Sequence, residues 1–159
     1  MLFSKKKGEL LAVTDGEVIP LSRVPDEAFS SGMLGDGIAI LPTAGTVYSP
    51  VEGTVESIAE TGHAYTIQSK DGLDVLVHIG IDTVEMGGDG FLPMVTEGDR
   101  IKAGDVLARA DLDAISRAGH PTVIPVLITN PERLSSLQQT SERTATGGKS
   151  VVAEYSLGS

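Results

Sequence analysis

The chain has 159 residues, no cysteine, and 22 acidic against 12 basic side chains, which gives a formal net charge of −10. The length suits one compact domain, and the absence of cysteine excludes a disulfide framework and a thiol nucleophile. The acidic balance argues against a nucleic-acid partner, because phosphate backbones select basic surfaces, but it is compatible with docking a basic protein.

The N-terminal residues carry three consecutive lysines, Lys5 to Lys7, but lack the apolar core of a secretory signal. No stretch of the sequence approaches the roughly 20 apolar residues that a membrane-spanning helix needs. We therefore expect a cytoplasmic protein without stable membrane insertion. Its predicted organisation is a flexible N-terminal segment over residues 1–10, followed by a single domain over residues 11–159.

Short runs rich in valine and isoleucine alternate with turns that contain glycine, aspartate or proline along most of the chain. This punctuation is typical of all-β proteins and predicts an antiparallel β-sandwich with short helices. The predicted strands are 16–20, 37–41, 45–48, 54–59, 64–69, 74–79, 100–101, 106–110, 122–128 and 151–155.

Two short helices are expected among these strands. Asp111 is suited to cap a helix over residues 112–118, which Gly119 and Pro121 would end. Asn130 followed by Pro131 predicts the start of a second helix, with Leu134 and Leu137 on one face.

Two of the three histidines lie at the ends of apolar, alternating runs, where a polar imidazole is least expected. In the run 74–79 the alternation places Val75, Val77 and Ile79 on one strand face and Leu76 with His78 on the other. The third histidine, in the run 118–121, follows a helix end and is expected to be an ordinary surface residue.

The neighbours of the two strand histidines favour a functional interpretation over two partly buried structural residues. Thr61 shares a strand face with His63, so its hydroxyl can bond one ring nitrogen and fix the tautomer. Gly80 and Asp82 follow His78. A neutral imidazole with a free nitrogen, close to a second imidazole, makes a nucleophile with a stabilising neighbour.

Two segments of the chain weakly resemble the two halves of a known carrier domain. Residues 50–55 resemble the opening of a biotinyl or lipoyl carrier domain, and residues 96–107 resemble its turn-rich second half. The modifiable lysine that those carriers present at a hairpin tip has no counterpart here. The resemblance therefore implies a barrel-sandwich, or duplicated hybrid, architecture and no swinging-arm function.

A more specific resemblance covers most of the chain, from about residue 11 to about residue 155. The segments that carry it are 24–26 with Phe29, 35–40, 44–55, 60–64, 98–105, 122–126 and, most specifically, the run from Val77 to Val84 around His78. On these segments the sequence is similar to the glucose-type IIA components of the bacterial phosphoenolpyruvate:sugar phosphotransferase system.

The resemblance implies a phosphotransferase that works through a covalent phosphohistidine. In that family the histidine at the position of His78 takes a phosphoryl group from the phosphocarrier protein HPr and passes it to a cysteine of a sugar-specific IIB domain. His63 would stabilise the phosphoryl group, Thr61 would orient His63, and the Gly80 carbonyl would bond His78 and free its other nitrogen. Asp82 would contribute local charge.

Successive docking of two partners requires an apolar surface around the histidines. Strand alternation places Leu76 in this surface, and the resemblance adds Phe29, Met33 and Leu34, for which core packing is the alternative. Regulatory protein targets are further expected partners.

Two other interpretations stay open from the sequence. A lysostaphin-like zinc hydrolase shares the hybrid architecture and begins its site with His-x3-Asp, as in His78 and Asp82, but its His-x-His pair is absent. A non-catalytic binding module is the other. No cofactor is expected to be required, although His63 and His78 could hold an adventitious zinc ion that a partner's carboxylate completes.

Overall fold

The structure is a computed structural model that describes residues 6–140 and 143–158. Most of this part of the chain forms short strands. In chain order they are β1 (Lys7–Leu11), β2 (Gly16–Pro20), β3 (Asp36–Pro42), β4 (Thr46–Tyr48), β5 (Gly53–Ile58), β6 (Ala64–Ser69), β7 (Asp74–His78), β8 (Phe91–Pro93), β9 (Arg100–Ile101), β10 (Val106–Ala110), β11 (Ile124–Ile128), β12 (Leu134–Gln139), β13 (Thr144–Ala145) and β14 (Val151–Leu157).

The helices are short: α1 (Glu27–Ser30), α2 (Leu112–Arg117) and the 3₁₀ helices Leu21–Arg23, Thr83–Met86 and Pro131–Arg133. Each α-helix begins at an aspartate whose carboxylate accepts a backbone N–H. Asp26 accepts from Ala28 at 2.9 Å, and Asp111 accepts from Ala114 at 3.0 Å. These caps satisfy donors that the first helical turn leaves unpaired, and the Asp111 cap confirms the sequence prediction.

The strands assemble into three sheets within the described residues. The main sheet has the order β13-β2-β3-β11-β7-β6-β5-β9, and two smaller sheets have the orders β1-β14-β12 and β4-β10-β8. Neighbouring strands pair antiparallel. The antiparallel all-β sandwich with short helices that the sequence predicts is therefore confirmed.

Burial follows the position of each strand in the main sheet. β11 lies between β3 and β7, and all five of its residues are buried. β7 instead alternates, with Val75 and Val77 buried and Leu76 and His78 half-buried. This confirms the predicted alternation, which places His78 on the opposite face from the valines of its own strand.

Two apolar clusters fill the two sides of β7. The larger cluster takes Val75 and Val77 together with the interior faces of most other strands. Leu76 packs against the smaller cluster, whose members are Ile19, Leu21, Val24, Phe29, Ala39, Ile81, Val123 and Leu127. Since Leu76 and His78 share a strand face, His78 lies on the side of the sheet that the smaller cluster covers.

The sequence prediction was wrong for β1 and β12, the two edge strands of the β1-β14-β12 sheet. Residues 7–10, expected in a flexible segment, belong to β1, which pairs with β14 and buries Leu10 completely, whereas residues 1–5 lie outside the described residues. The helix expected after Asn130 is a single 3₁₀ turn followed by β12. In both places pairing with β14 overrides a local preference that the sequence alone shows.

No helix in the described part of the chain is long and apolar enough to cross a membrane.

Tyr65 provides a test of the packing. Its side chain is fully buried, and its hydroxyl has no hydrogen-bond partner among the described residues. Because an unsatisfied buried hydroxyl is unfavourable, we expect Tyr65→Phe to raise the free energy of unfolding by about 1 kcal/mol in urea titrations. The control is Tyr155→Phe, which removes a hydroxyl that donates to Asp71 at 2.5 Å and should lower that free energy. A less stable Tyr65→Phe would show that this hydroxyl is satisfied in solution.

Candidate functional site

The pairing of β6 with β7 brings His63 and His78 together. Ala64, the first residue of β6, lies opposite His78, the last residue of β7. The backbone N–H of Ile79 then donates to the carbonyl of His63 at 2.7 Å. The two imidazole rings pack edge to face, with 5.0 Å between their centroids and an angle of 82° between their planes. The predicted proximity of the two histidines is therefore present in the fold.

A single hydrogen bond sets the protonation of the neutral His78 ring. Nδ1 of His78 lies 2.7 Å from the carbonyl oxygen of Gly80. A carbonyl oxygen only accepts, so Nδ1 carries the proton, and Nε2 of the neutral ring keeps an unshared electron pair. Nε2 is therefore the nitrogen of His78 that is available to form a new bond.

The turn after β7 has a left-handed backbone at two positions. Gly80 has φ of 77°, and Asp82, the only non-glycine residue with positive φ in the described part of the chain, has φ of 61°. A β-carbon at position 80 would lie 2.5 Å from Cγ2 of Thr83 and 3.1 Å from the carbonyl oxygen of Pro121. Glycine is required here because both the backbone angle and the close packing exclude a side chain.

His63 is more deeply buried than His78, with 7% of its surface exposed. Oγ1 of Thr61 lies 2.5 Å from its Nδ1. A hydroxyl that donates to Nδ1 places the proton of the neutral His63 ring on Nε2, where it can serve as a donor. The ring of Phe91 packs on His63 at a centroid distance of 6.4 Å.

Helix α1 contributes two groups to the environment of His78. The ring of Phe29 lies 5.1 Å from the His78 ring, centroid to centroid. Asp26, which caps α1, is close enough for its negative charge to act on His78, as the charge of Asp82 also does. The sequence prediction included Phe29 and Asp82 but missed Asp26. The sequence signal for Asp26 is its helix-capping position three residues before Phe29, which places it at the start of the same helix.

Both histidines are biased toward the neutral form. Burial lowers the pKa of His78, while the bond to Gly80 and the charges of Asp26 and Asp82 oppose that shift. Burial also lowers the pKa of His63, and the neighbouring His78 lowers it further by charge repulsion. At neutral pH the site therefore offers two uncharged imidazoles in contact.

The residues predicted for partner docking fall into two groups. Met33 and Leu34 are 77% and 41% exposed, and Leu76 is half-buried against the smaller cluster. Phe29 is only 5% exposed, so the prediction that it belongs to an exposed patch was wrong. Its ring instead packs on His78 because α1 folds over the end of β7. Val84, at 56% exposure, is an exposed apolar residue close to the site in sequence that the prediction missed.

Thr83 is a further residue that sequence reasoning passed over. It is fully buried, and its hydroxyl donates to the carbonyl of Ile79 at 2.6 Å.

His120, expected at the surface, is partly buried, with its Nε2 4.0 Å from a carboxylate oxygen of Glu85. The described residues contain no group of three or more histidine, cysteine, aspartate or glutamate side chains placed to hold a metal ion.

Comparison with known proteins gives a consistent result. Residues 8–134 match the family model described as phosphoenolpyruvate-dependent sugar phosphotransferase system, EIIA 1. A Bacillus anthracis protein named PTS system glucose-specific EIIA component is 40% identical over 148 residues, which cover 93% of this chain and 90% of that protein. A Streptococcus pneumoniae protein named PTS system glucose-specific EIICBA component is 45% identical over 94% of this chain, which spans 20% of that longer protein.

The fold gives the same answer as the sequence comparison. The solved structure of glucose permease IIA from Mycoplasma capricolum superposes with a TM-score of 0.86 at 36% identity, covering 97% of this chain and 99% of that one.

The lowered pKa values of His63 and His78 can be tested together. In NMR titrations we expect both His63 and His78 to titrate below the ordinary value of 6.5, because burial dominates in each case. Replacing His78 with glutamine removes the second cause of the His63 shift, so the pKa of His63 should rise in His78→Gln and still stay below 6.5. A wild-type His63 that titrates at or above 6.5 would contradict this assignment.

The lowered pKa values of the two histidines also determine how the free energy of unfolding changes with pH. A histidine with a lowered folded-state pKa binds fewer protons than the unfolded chain, so acid favours unfolding. The free energy of unfolding should therefore be unaffected by these groups above pH 6.5 and fall as the pH drops below 6.5 toward the folded-state values. The dependence should weaken in His63→Gln.

Gly80→Ala tests the turn. The new β-carbon would meet both Thr83 and Pro121, so we expect a loss of about 2–3 kcal/mol in the free energy of unfolding. Gly87→Ala is the matched control, since Gly87 has φ of 62° and no neighbour within 4 Å of its added β-carbon. It should lose only the conformational cost of about 1 kcal/mol. Equal losses in the two variants would show that packing around Gly80 is unimportant.

Proposed function

Because the chain belongs to the EIIA 1 family of the phosphoenolpyruvate-dependent sugar phosphotransferase system, we propose that it carries a phosphoryl group from phospho-HPr to a IIB domain on His78. The observation that carries this proposal is the bond from Nδ1 of His78 to the Gly80 carbonyl, which leaves Nε2 with a free electron pair. The names of the relatives support glucose as the sugar and a IIB domain as the acceptor.

The proposed reaction has two transfers. The electron pair on Nε2 of His78 forms a P–N bond as the bond between phosphorus and HPr breaks, and the electrons of that bond stay on HPr. In the second transfer a cysteine thiolate of IIB forms a P–S bond with its electron pair, and the P–N electrons return to Nε2. The proton on Nδ1 stays in place through both steps, held by Gly80. Phosphoryl transfer of this kind depends mainly on in-line positioning and charge stabilisation.

His63 is the proposed stabilising neighbour of the phosphoryl group. Its ring contacts that of His78, and its Nδ1 is engaged by Thr61, so Nε2–H is the donor that remains for phosphoryl oxygens. Asp26 and Asp82 lie near the same ring and favour approach of a basic partner surface. Met33, Leu34 and Leu76 form the proposed apolar part of that docking surface, and regulatory proteins are proposed to use it too.

The zinc hydrolase alternative is not supported by the comparisons, which match the phosphotransferase family over most of the chain. A zinc ion at His63 and His78 would need a further ligand from a partner, since a tetrahedral site takes four. That ion stays a prediction and is not required by the proposed reaction.

The acceptor is tested by incubating the protein with phosphoenolpyruvate, the first enzyme of the system and HPr. We expect a single phosphohistidine, labile in acid and stable in base, and no labelling of His78→Ala. Labelling of His78→Ala would contradict the assignment.

His63→Gln separates stabilisation from nucleophilic attack. Labelling of His78 should survive, while single-turnover transfer falls by roughly 10²–10³-fold, the usual effect of losing one preorganised donor. Thr61→Val should give a smaller loss, because it loosens His63 without removing it. Wild-type rates in His63→Gln would reduce this histidine to a structural residue.

A further inference from the structure

The turn that carries the Gly80 carbonyl is held at three points. The N–H of Ile79 donates to the His63 carbonyl at 2.7 Å, and the N–H of Ile81 donates to the Pro121 carbonyl at 3.1 Å. The third point is a side chain: the hydroxyl of Thr83 donates to the carbonyl of Ile79 at 2.6 Å. Thr83 therefore closes a loop of five residues around Gly80.

Thr83 also packs directly on the glycine. Its side chain is fully buried, and its methyl group occupies the space into which a β-carbon on Gly80 would project, at 2.5 Å. The hydroxyl and the methyl thus restrain the turn from two directions. Apart from His78 itself, Thr83 is the only side chain among the described residues that hydrogen-bonds to the backbone of this turn.

We propose that Thr83 is a positioning residue for His78, which keeps the Gly80 carbonyl on Nδ1 and thereby keeps Nε2 unprotonated. The carbonyl must point at the ring for the bond to exist, and its direction is set by the backbone angles of Gly80. Those angles are not enforced by glycine itself, because glycine accepts many conformations. The restraint has to come from the surroundings. The backbone bonds of Ile79 and Ile81 supply part of it, and the Thr83 hydroxyl supplies the side-chain part.

The first experiment measures the tautomer, which does not depend on the proposed function. The ¹⁵N chemical shifts of the His78 ring, recorded above its pKa, distinguish protonated from unprotonated nitrogen. We expect one dominant Nδ1–H tautomer in the wild type and in Thr83→Ser, which keeps the hydroxyl. Thr83→Val keeps the shape but loses the donor, so its shifts should move toward a mixture of the two tautomers.

Thr14→Val is the matched control. Thr14 is equally buried, and its hydroxyl donates to the carbonyl of Ala44 at 3.0 Å in a different part of the fold. The control should lose a comparable amount of stability in urea titrations and leave the His78 shifts unchanged. It separates a general loss of a buried hydrogen bond from a specific effect on the histidine.

The kinetic consequence rests on the proposed function. Thr83→Val should accept the phosphoryl group roughly five- to tenfold more slowly than the wild type, with Thr83→Ser restoring most of the rate. Wild-type ¹⁵N shifts in Thr83→Val, or equal effects of the valine and serine variants, would overturn the role of the hydroxyl. If no variant and no wild-type protein is phosphorylated while the tautomer responds as expected, the proposed function fails and the positioning role stands.

Discussion

The chemistry of the site depends on one hydrogen bond, from Nδ1 of His78 to the carbonyl of Gly80. A neutral imidazole has one protonated and one unprotonated nitrogen, and this bond decides which is which. The carbonyl reaches the ring only because Gly80 adopts φ of 77° in a space where a β-carbon would meet Thr83 and Pro121. The antiparallel register of β6 and β7 then places His63 beside the ring that this turn has oriented.

Electrostatics at His78 are a balance of opposing contributions. Burial favours the neutral ring, which alone has an electron pair to share, while Asp26 and Asp82 favour the charged one. For the proposed carrier, those carboxylates also repel an incoming phosphoryl group and so make the phosphorylated ring a better donor. A group that is accepted and then released benefits from such a balance, since a site that only stabilised the phosphorylated form would retain it.

Patterns of short range in the sequence were sufficient for the parts of this site that depend on one strand. The alternation in β7 predicts a side-chain direction that the structure has. The contact between Thr61 and His63 is also present, but the predicted shared strand face was wrong. Both residues lie in the turn before β6, where Gly62 between them has φ of 73°. Contacts that depend on tertiary packing could not be predicted from these patterns. α1 folds Phe29 onto His78, and Pro121 approaches Gly80 from a distant loop. β1 was missed for the same reason, because its partner β14 lies at the other end of the chain. β12 was missed because the Asn130-Pro131 helix signal extends for only one turn before the chain pairs with β14.

The His-x3-Asp spacing shows why residue patterns alone do not identify a site. In this fold Nδ1 of His78 is engaged by Gly80 and Nδ1 of His63 by Thr61, so each ring keeps one nitrogen for chemistry. Asp82 is exposed on a left-handed turn, where it acts on His78 by its charge. A hydrolytic zinc site needs three protein ligands, whereas a phosphoryl carrier needs one free nitrogen and a donor beside it. The number of side chains that meet at the site, and not the His-x3-Asp spacing, therefore distinguishes two functions that a shared architecture could support.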